Sequence, residues 1–516
     1  MIGAECLLRT LLANDVDLCL MNPGTSEMQF VSALDRVPEM RGVLGLYEGV
    51  CSGAADGYAR MAGKPAATLL HLGPGLANAL SNLHNARKAH SPVINIVGEH
   101  STAHLKHDAP LTSDIEAFAR PVSHWVRTVE LAIAMGEATS AAVAAALGPP
   151  GQVATLIVPA DYSWSEAGEP GFPVQRPARS LPEMEQLHAA ASALRSGQKV
   201  GLLLGGSALQ ARGLHAAARV CAATGARMFA HRYAARTTRG SAIPAVERIP
   251  YFPENAQALL ADIERLVRVE ARAPVSFFGY PGVRSTLAPE GCIFDALASE
   301  DQDGAGALEW LADELGAPPL ESTSTPPPEL PAGEPLTAAT LGRAVGALLP
   351  EGAIISDEAV SSAEAIWPHL AGAALYDHLP VTGGSIGQGL PVAVGAALAC
   401  PFRKVVALEA DGSAMYTLQA LWTMARERLD VTVVILANRR YGILDIEMQR
   451  TGAGAVGPRA EEMIDLTDPE PNWVRLAQGF GVEAVRAATA DEFIREFGAA
   501  MLQRGPRLIE AVFERT

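Results

Sequence analysis

The segment from Val405 to Asn438 limits the fold more than any other part of the chain. Val405-Val-Ala-Leu-Glu409 is an apolar run of strand length that leads into Asp411-Gly412-Ser413. From Ala414 to Arg428, the apolar residues Met415, Leu418, Leu421, Trp422 and Ala425 share one face at helical spacing. Thr432-Val-Val-Ile-Leu-Ala437 is a second buried strand, and it delivers Asn438 to the sheet end where Asp411 lies. A helix that opens after a glycine turn also presents free N–H groups to an anion. An Asp-Gly turn and an Asn are each common. Their weight comes from the order strand, turn, helix, strand, Asn.

The same alternation runs through the rest of the chain. Thr68-Leu-Leu-His-Leu-Gly-Pro-Gly75, a helix Leu76–Ala89 and Ser91-Pro-Val-Ile-Asn-Ile-Val97 repeat the pattern near the N-terminus, though any two βαβ units look alike. Val200-Gly-Leu-Leu-Leu-Gly-Gly206, a helix Ala208–Thr224 and a strand Val275–Gly279 continue it in the middle. Two proline-rich stretches, 164–182 and 317–335, read as extended surface linkers and divide the chain into 1–163, 183–316 and 336–516. The expectation is an α/β protein of three doubly wound parallel-sheet domains. The Ala-rich stretch Leu131–Leu147 reads as a core helix.

With 49% apolar residues a large core is available, and a net charge of −17 argues against a nucleic-acid or anionic-membrane partner. Any bound phosphate must then be held through a metal and backbone dipoles. The six cysteines form no CxxC pairs and mostly sit in apolar segments, so reduced thiols in a cytoplasmic protein are expected. Nothing at the N-terminus has the form of a signal peptide.

Glu409-Ala-Asp-Gly-Ser413, with Asn438 twenty-seven residues after Asp411, resembles the Gly-Asp-Gly…Asn signature of thiamine diphosphate (ThDP) enzymes. The resemblance covers nearly the whole chain and follows the decarboxylase and acetohydroxyacid-synthase branch. That branch implies a pyrimidine-binding domain, a middle domain and a diphosphate-binding domain, in this order. It also implies homodimers or homotetramers in which one subunit's first domain and another's third domain enclose each cofactor. Asp411, the Asn438 amide and the carbonyl of Arg440 would hold Mg²⁺, which takes about six hard oxygens.

The cofactor supplies the difficult chemistry, and the protein must orient it. Glu48, in Leu44-Gly-Leu-Tyr-Glu-Gly-Val50 before a helix Val50–Arg60, matches the family's activating glutamate. Taken alone it would equally serve as a helix N-terminal acid. Ile386, in Thr382-Gly-Gly-Ser-Ile-Gly-Gln-Gly-Leu-Pro391, matches the apolar wedge that bends the cofactor, or else packs as an ordinary core residue. Gly384 and its neighbouring glycines would let backbone approach closely. Gly412, Ser413, Ser361 and Ser362 are the expected diphosphate contacts, although a Ser-Ser pair also suits a helix start.

The first domain resembles benzoylformate decarboxylase more than acetohydroxyacid synthase. Asn22-Pro-Gly-Thr-Ser-Glu27 places a substrate-facing hydroxyl at Thr25, and Leu70-His-Leu-Gly-Pro-Gly75 places His71 at a catalytic histidine's position. His71 would carry protons near neutral pH or remain a hydrogen-bonded strand-end residue. Leu111 opens a segment of the same pattern, and Tyr441 and Leu444 are expected to face the substrate. His84, His90, His100, His104 and His107 do not have metal-ligand spacing. The chain departs from the pattern at Ala410 and Ala437, and lacks the Gln-Trp expected of acetohydroxyacid synthases after Asn438. No middle-domain histidine can be placed, although Tyr280 or Arg284 lies in the corresponding region. Gly205-Gly206 is a weak nucleotide signal, and FAD is not expected.

These features imply a lyase that decarboxylates a 2-oxo acid to an aldehyde, with carboligation as its side reaction. An acetolactate-forming carboligase and a noncatalytic protein that keeps this fold for binding are the rival readings.

Overall fold

Strands buried on both faces need helices on both sides, and the chain builds this arrangement three times. The computed structural model describes residues 1–320, 324–454 and 456–513. The first sheet holds β1 (Leu18–Asn22), β2 (Arg41–Leu44), β3 (Ala66–Leu70), β4 (Val93–Glu99), β5 (Trp125–Thr128) and β6 (Val153–Pro159), in the order 2-1-3-4-6-5. The middle chain segment carries β7 (Val200–Leu204), β8 (Arg227–Ala230), β9 (Thr237–Arg239), β10 (Glu247–Arg248), β11 (Arg265–Val269) and β12 (Ile293–Ala298). All of these except β9 form the second sheet, in the order 10-8-7-11-12. The third sheet runs 17-18-16-15-13-14-9, with β13 (Ala353–Glu358), β14 (Tyr376–Pro380), β15 (Val405–Ala410), β16 (Val431–Ala437), β17 (Glu483–Ala487) and β18 (Arg507–Val512).

Alternation along the strands separates the cores. In the first sheet Cys19, Met21, Leu69 and Ile96 enter one core while Leu18, Leu20, Leu70 and Val97 enter another. That second core is continuous with the third sheet through Ile354, Val405, Ala407 and Val433. Between the two sheets, the helix Glu48–Ala62 packs on the helix Gly389–Ala399. Close approach explains two of their glycines: a Cβ on Gly57 would strike the backbone of Val392, and one on Gly395 would strike the backbone of Ala54.

Three local expectations are corrected. The helix expected over Ala414–Arg428 is two helices, Asp411–Ala414 and Ala420–Glu427. The turn between them sends the Thr417 hydroxyl to the carbonyl of Gly387 at 3.0 Å. The strand expected over Val275–Gly279 is a loop with one bridge, Val275 to Thr286. The strand seats there belong to β11 and β12, whose charged Arg265, Arg268 and Asp295 hide them from an apolar-run criterion. The Ala-rich helix starts at Met135, after a short 3₁₀ turn over Ala132–Ala134. The pairing is parallel in every sheet except for β9, which leaves the middle segment and pairs antiparallel with β14. Within the connector 317–335, residues 321–323 lie outside the described residues, as do 455 and 514–516 of the third region.

In each sheet the chain runs to one side of a strand and then returns to its other side. The reversals fall between β1 and β3, between β7 and β11, and between β13 and β15. A crevice opens there beyond the C-terminal strand ends, where ligands of open α/β sheets bind.

Candidate functional site

Each reversal point holds a carboxylate, and each carboxylate has different surroundings. At the first, β1 leads into Gly24, the exposed Thr25 and a 3₁₀ turn ending at Glu27, while β3 leads into His71. Glu27 Oε2 lies 2.8 Å from His71 Nδ1 and accepts the Gly24 N–H at 2.8 Å. Burial pushes the Glu27 carboxyl up, and the neighbouring His71 opposes that shift. With Nδ1 engaged by Glu27, Nε2 is the ring's other polar atom. Glu48 opens the next helix and is 8% exposed. Its Oε2 accepts from Asn78 Nδ2 at 3.0 Å.

At the middle reversal, the carboxylate of Glu270 caps the glycine turn in the wall of a cavity of about 730 Å³ that Gly205, Ser207 and Arg179 also line. It accepts the N–H of Ser207 at 3.0 Å and of Gly304 at 2.9 Å, bonds the Ser207 hydroxyl, and pairs with Arg179 at 2.7 Å. A Cβ on Gly206 would strike this carboxylate. The glycine turn and the start of the helix Gly304–Glu314 are therefore occupied by an anion of the chain itself.

At the third reversal, Asp411, Gly412 and Ser413 follow β15 and are buried. Asp411 accepts the N–H of Gly412 at 2.9 Å and of Arg439 at 2.6 Å, so the ends of β15 and β16 are joined. Burial pushes Asp411 up to about 6. Asn438 Oδ1 faces the Arg440 N–H at 3.2 Å, and the Asn438 amide and Ser361 hydroxyl both border Gly442. Ser361 and Ser362 lie in a 3₁₀ turn directly after β13. The Tyr441 ring stands 2.5 Å from where a Cβ on Gly412 would be. Arg440 turns its guanidinium to Asp445 and Glu461.

The loop 382–389 closes over this crevice. Gly384 and Gly387 have φ of +78° and +87°, a left-handed backbone that suits glycine. Half-buried Ile386 lies between them. From the first domain, Asn82 donates to the Gly387 carbonyl at 3.1 Å, Asn85 donates to that of Ser385 at 2.8 Å, and Asp56 accepts from Gln388 at 2.6 Å. Phe277 of the middle region abuts Gly384.

The structure thus brings Asp411, Asn438, Gly412, Ser413 and Ser361 together, with Ile386 on the overlying loop. Thr25 and His71 share the first crevice. Leu111 and Leu444 are exposed in this single chain, at 37% and 41%. The Tyr280 hydroxyl donates to Glu447 at 2.9 Å, and the exposed Arg284 donates to the Ala288 carbonyl at 3.2 Å. Among the described residues no three His, Cys, Asp or Glu side chains cluster as a metal group, and no helix is long and apolar enough to cross a membrane. A site made of one Asp, an Asn amide and a backbone carbonyl still offers the hard oxygens that Mg²⁺ takes.

Sequence reasoning passed over Glu27, Asn78, Glu358 and Glu409. Glu358 and Glu409 end adjacent strands as register partners, and both are buried. Burial and the nearby Glu358 carboxylate push the Glu409 carboxyl well up, and neither of its oxygens has a partner among the described residues. The available signal was an acidic residue at the end of each of two apolar strands.

Residues 1–118 match the family described as thiamine pyrophosphate enzyme, N-terminal TPP binding domain, and residues 369–511 match the corresponding C-terminal TPP binding domain. The chain belongs to the thiamine pyrophosphate enzymes. Among its relatives is a Mycobacterium tuberculosis protein titled "Putative acetolactate synthase large subunit IlvX", 50% identical over 99% of this chain and 98% of that one. Another is the benzoylformate decarboxylase of Pseudomonas aeruginosa, 30% identical over 95% of this chain and 94% of that one. Among solved structures, the ThDP-dependent 4-hydroxybenzoylformate decarboxylase of Rhodococcus jostii RHA1 superposes with a TM-score of 0.86, at 25% identity and full coverage of both chains.

Proposed function

We propose that this chain is a Mg²⁺- and ThDP-dependent lyase that decarboxylates a 2-oxo acid to an aldehyde. The observation that carries this reading is the pairing of half-buried His71 with buried Glu27 beside Thr25 at the first crevice. A lyase must return a proton after CO₂ leaves, and a histidine held in one orientation by a carboxylate suits that task. When bound, ThDP supplies an electron sink beside the carbonyl carbon. Asp411, Asn438 and the Arg440 carbonyl would hold the metal, and Gly412, Ser413, Ser361 and Ser362 the diphosphate. Ile386 supports the bend. Glu48, oriented by Asn78, would exchange a proton with the aminopyrimidine ring.

Exposed Leu111 and Phe118 on the first domain, and Tyr416 and Leu444 on the third, support burial of both half-sites in a homodimer or homotetramer. Glu270 takes the N–H groups of the glycine turn and helix start that a dinucleotide phosphate would use, which supports a site without FAD. Six free cysteines support a reducing, cytoplasmic setting.

The relative titled as an acetolactate synthase subunit favours a second reading, carboligation of two 2-oxo acids. The test is product analysis with Mg²⁺, ThDP and a panel of 2-oxo acids that includes pyruvate. Aldehyde with stoichiometric CO₂ is the expected result. Acetolactate as the main product from pyruvate would establish the second reading, and no turnover on any member would point to a binding protein.

A further inference from the structure

Glu358 lies beneath the cofactor loop and has no part in the chemistry proposed above. Its side chain ends β13 and is 1% exposed. Three consecutive N–H groups converge on it: Gly387 donates to Oε1 at 2.6 Å, and Gln388 and Gly389 donate to Oε2 at 2.8 and 2.5 Å. The Ser413 side chain faces it. One carboxylate therefore lies between two separate segments. The first is the loop that carries Ile386, and the second is the turn Asp411–Ser413. Thr417 reinforces the joint by donating to the Gly387 carbonyl.

We infer that Glu358 is a positioning residue that sets the spacing between the diphosphate anchor and the Ile386 wedge, so that a cofactor gripped at one end is bent at the other. The inference rests on the ThDP reading of the site. Oε2 accepts two of the N–H groups and Oε1 a third, so the function requires acceptors on both oxygens. An amide at this position would turn an N–H₂ donor towards at least one N–H donor and displace the loop. The cost falls on ligands that reach both segments. It does not fall on a ligand that touches only the turn.

Two probes separate these cases in calorimetric titrations with Mg²⁺: ThDP, which spans both segments, and inorganic diphosphate, which reaches only the anchor. For Glu358→Gln, the ThDP dissociation constant should rise by about tenfold or more, while that of diphosphate stays within about twofold. The near-ultraviolet circular dichroism of bound ThDP should change as its bend relaxes. Glu358→Asp keeps a carboxyl group and shortens the reach. It should show the same selective loss, and it decides the matter if the Gln variant does not fold. Equal weakening of both probes, or of neither, would overturn the inference. A native chain that binds diphosphate and not ThDP, or binds neither, would overturn the ThDP reading itself and this inference with it.

Discussion

The middle and third crevices are built alike and used differently. Each lies at a reversal of strand order, each has a glycine turn, and each has a helix start facing the strand ends. In the middle crevice Glu270 enters from β11 and takes the free N–H groups itself, with Arg179 closing it from the proline-rich connector. In the third, one of the carboxylates, Asp411, belongs to the turn itself. Glu358 holds the overlying loop, and Asp411 joins the ends of β15 and β16. One carboxylate that spans the glycine turn and the helix start gives the middle crevice a structural role. In the third, Asp411 takes the Gly412 N–H with one oxygen and turns the other to Arg439.

The largest effect should come from the residues assigned to cofactor activation and metal binding. Glu48→Gln should leave folding and ThDP binding intact and lower turnover by about 10²–10⁴-fold in steady-state assays. Asp411→Ala should weaken Mg²⁺-dependent ThDP binding by about a hundredfold in calorimetry, since a charged ligand is lost. Unchanged binding in that variant would make the third crevice as structural as the middle one.

Glu270→Ala tests the other side of the comparison. Ser207 N–H, Gly304 N–H and Arg179 would lose their acceptor, at a cost of about 2–3 kcal/mol in urea unfolding. ThDP binding should not change, and millimolar phosphate should restore part of the stability if the crevice is an anion cradle. Failure of phosphate to restore any stability would break the parallel between the two crevices.

A smaller, pH-dependent effect is expected from Glu409→Gln. Burial, with the Glu358 and Asp357 carboxylates nearby, raises the Glu409 carboxyl well above its ordinary value of 4.5 in the folded chain, so folding strengthens its hold on a proton. The folded state then binds the extra proton, so native stability falls as pH rises above about 4.5. The Gln variant lacks that loss. It should be the more stable by at least about 1 kcal/mol at pH 8, with the difference vanishing near pH 4, in denaturation of metal-free protein.

What could be read from the sequence lay at strand ends. The Asp411 turn, Asn438, Glu48, His71 and the Ile386 loop follow apolar runs or glycines that mark their positions. The two strands flanking Asp411 pair as their patterns imply. The carboxylates that hold these motifs in place were not legible, because their partners are set by tertiary register. Glu358 meets Glu409 only once β13 lies beside β15, and Glu270 meets Ser207 only once β11 lies beside β7. The split of the helix after Ser413 depends on a contact with Gly387, and the pairing of β9 with β14 joins segments far apart in sequence. Local periodicity carries no record of either.

A cofactor held between two chains is best tested by a crystal structure grown with Mg²⁺ and ThDP. It should show the diphosphate on Gly412 and Ser413, the metal on Asp411 and the Asn438 amide oxygen, and the aminopyrimidine ring within hydrogen-bonding distance of Glu48 from a second copy of the chain. ThDP bound elsewhere, or Glu48 remote from it in every subunit pair, would contradict the account.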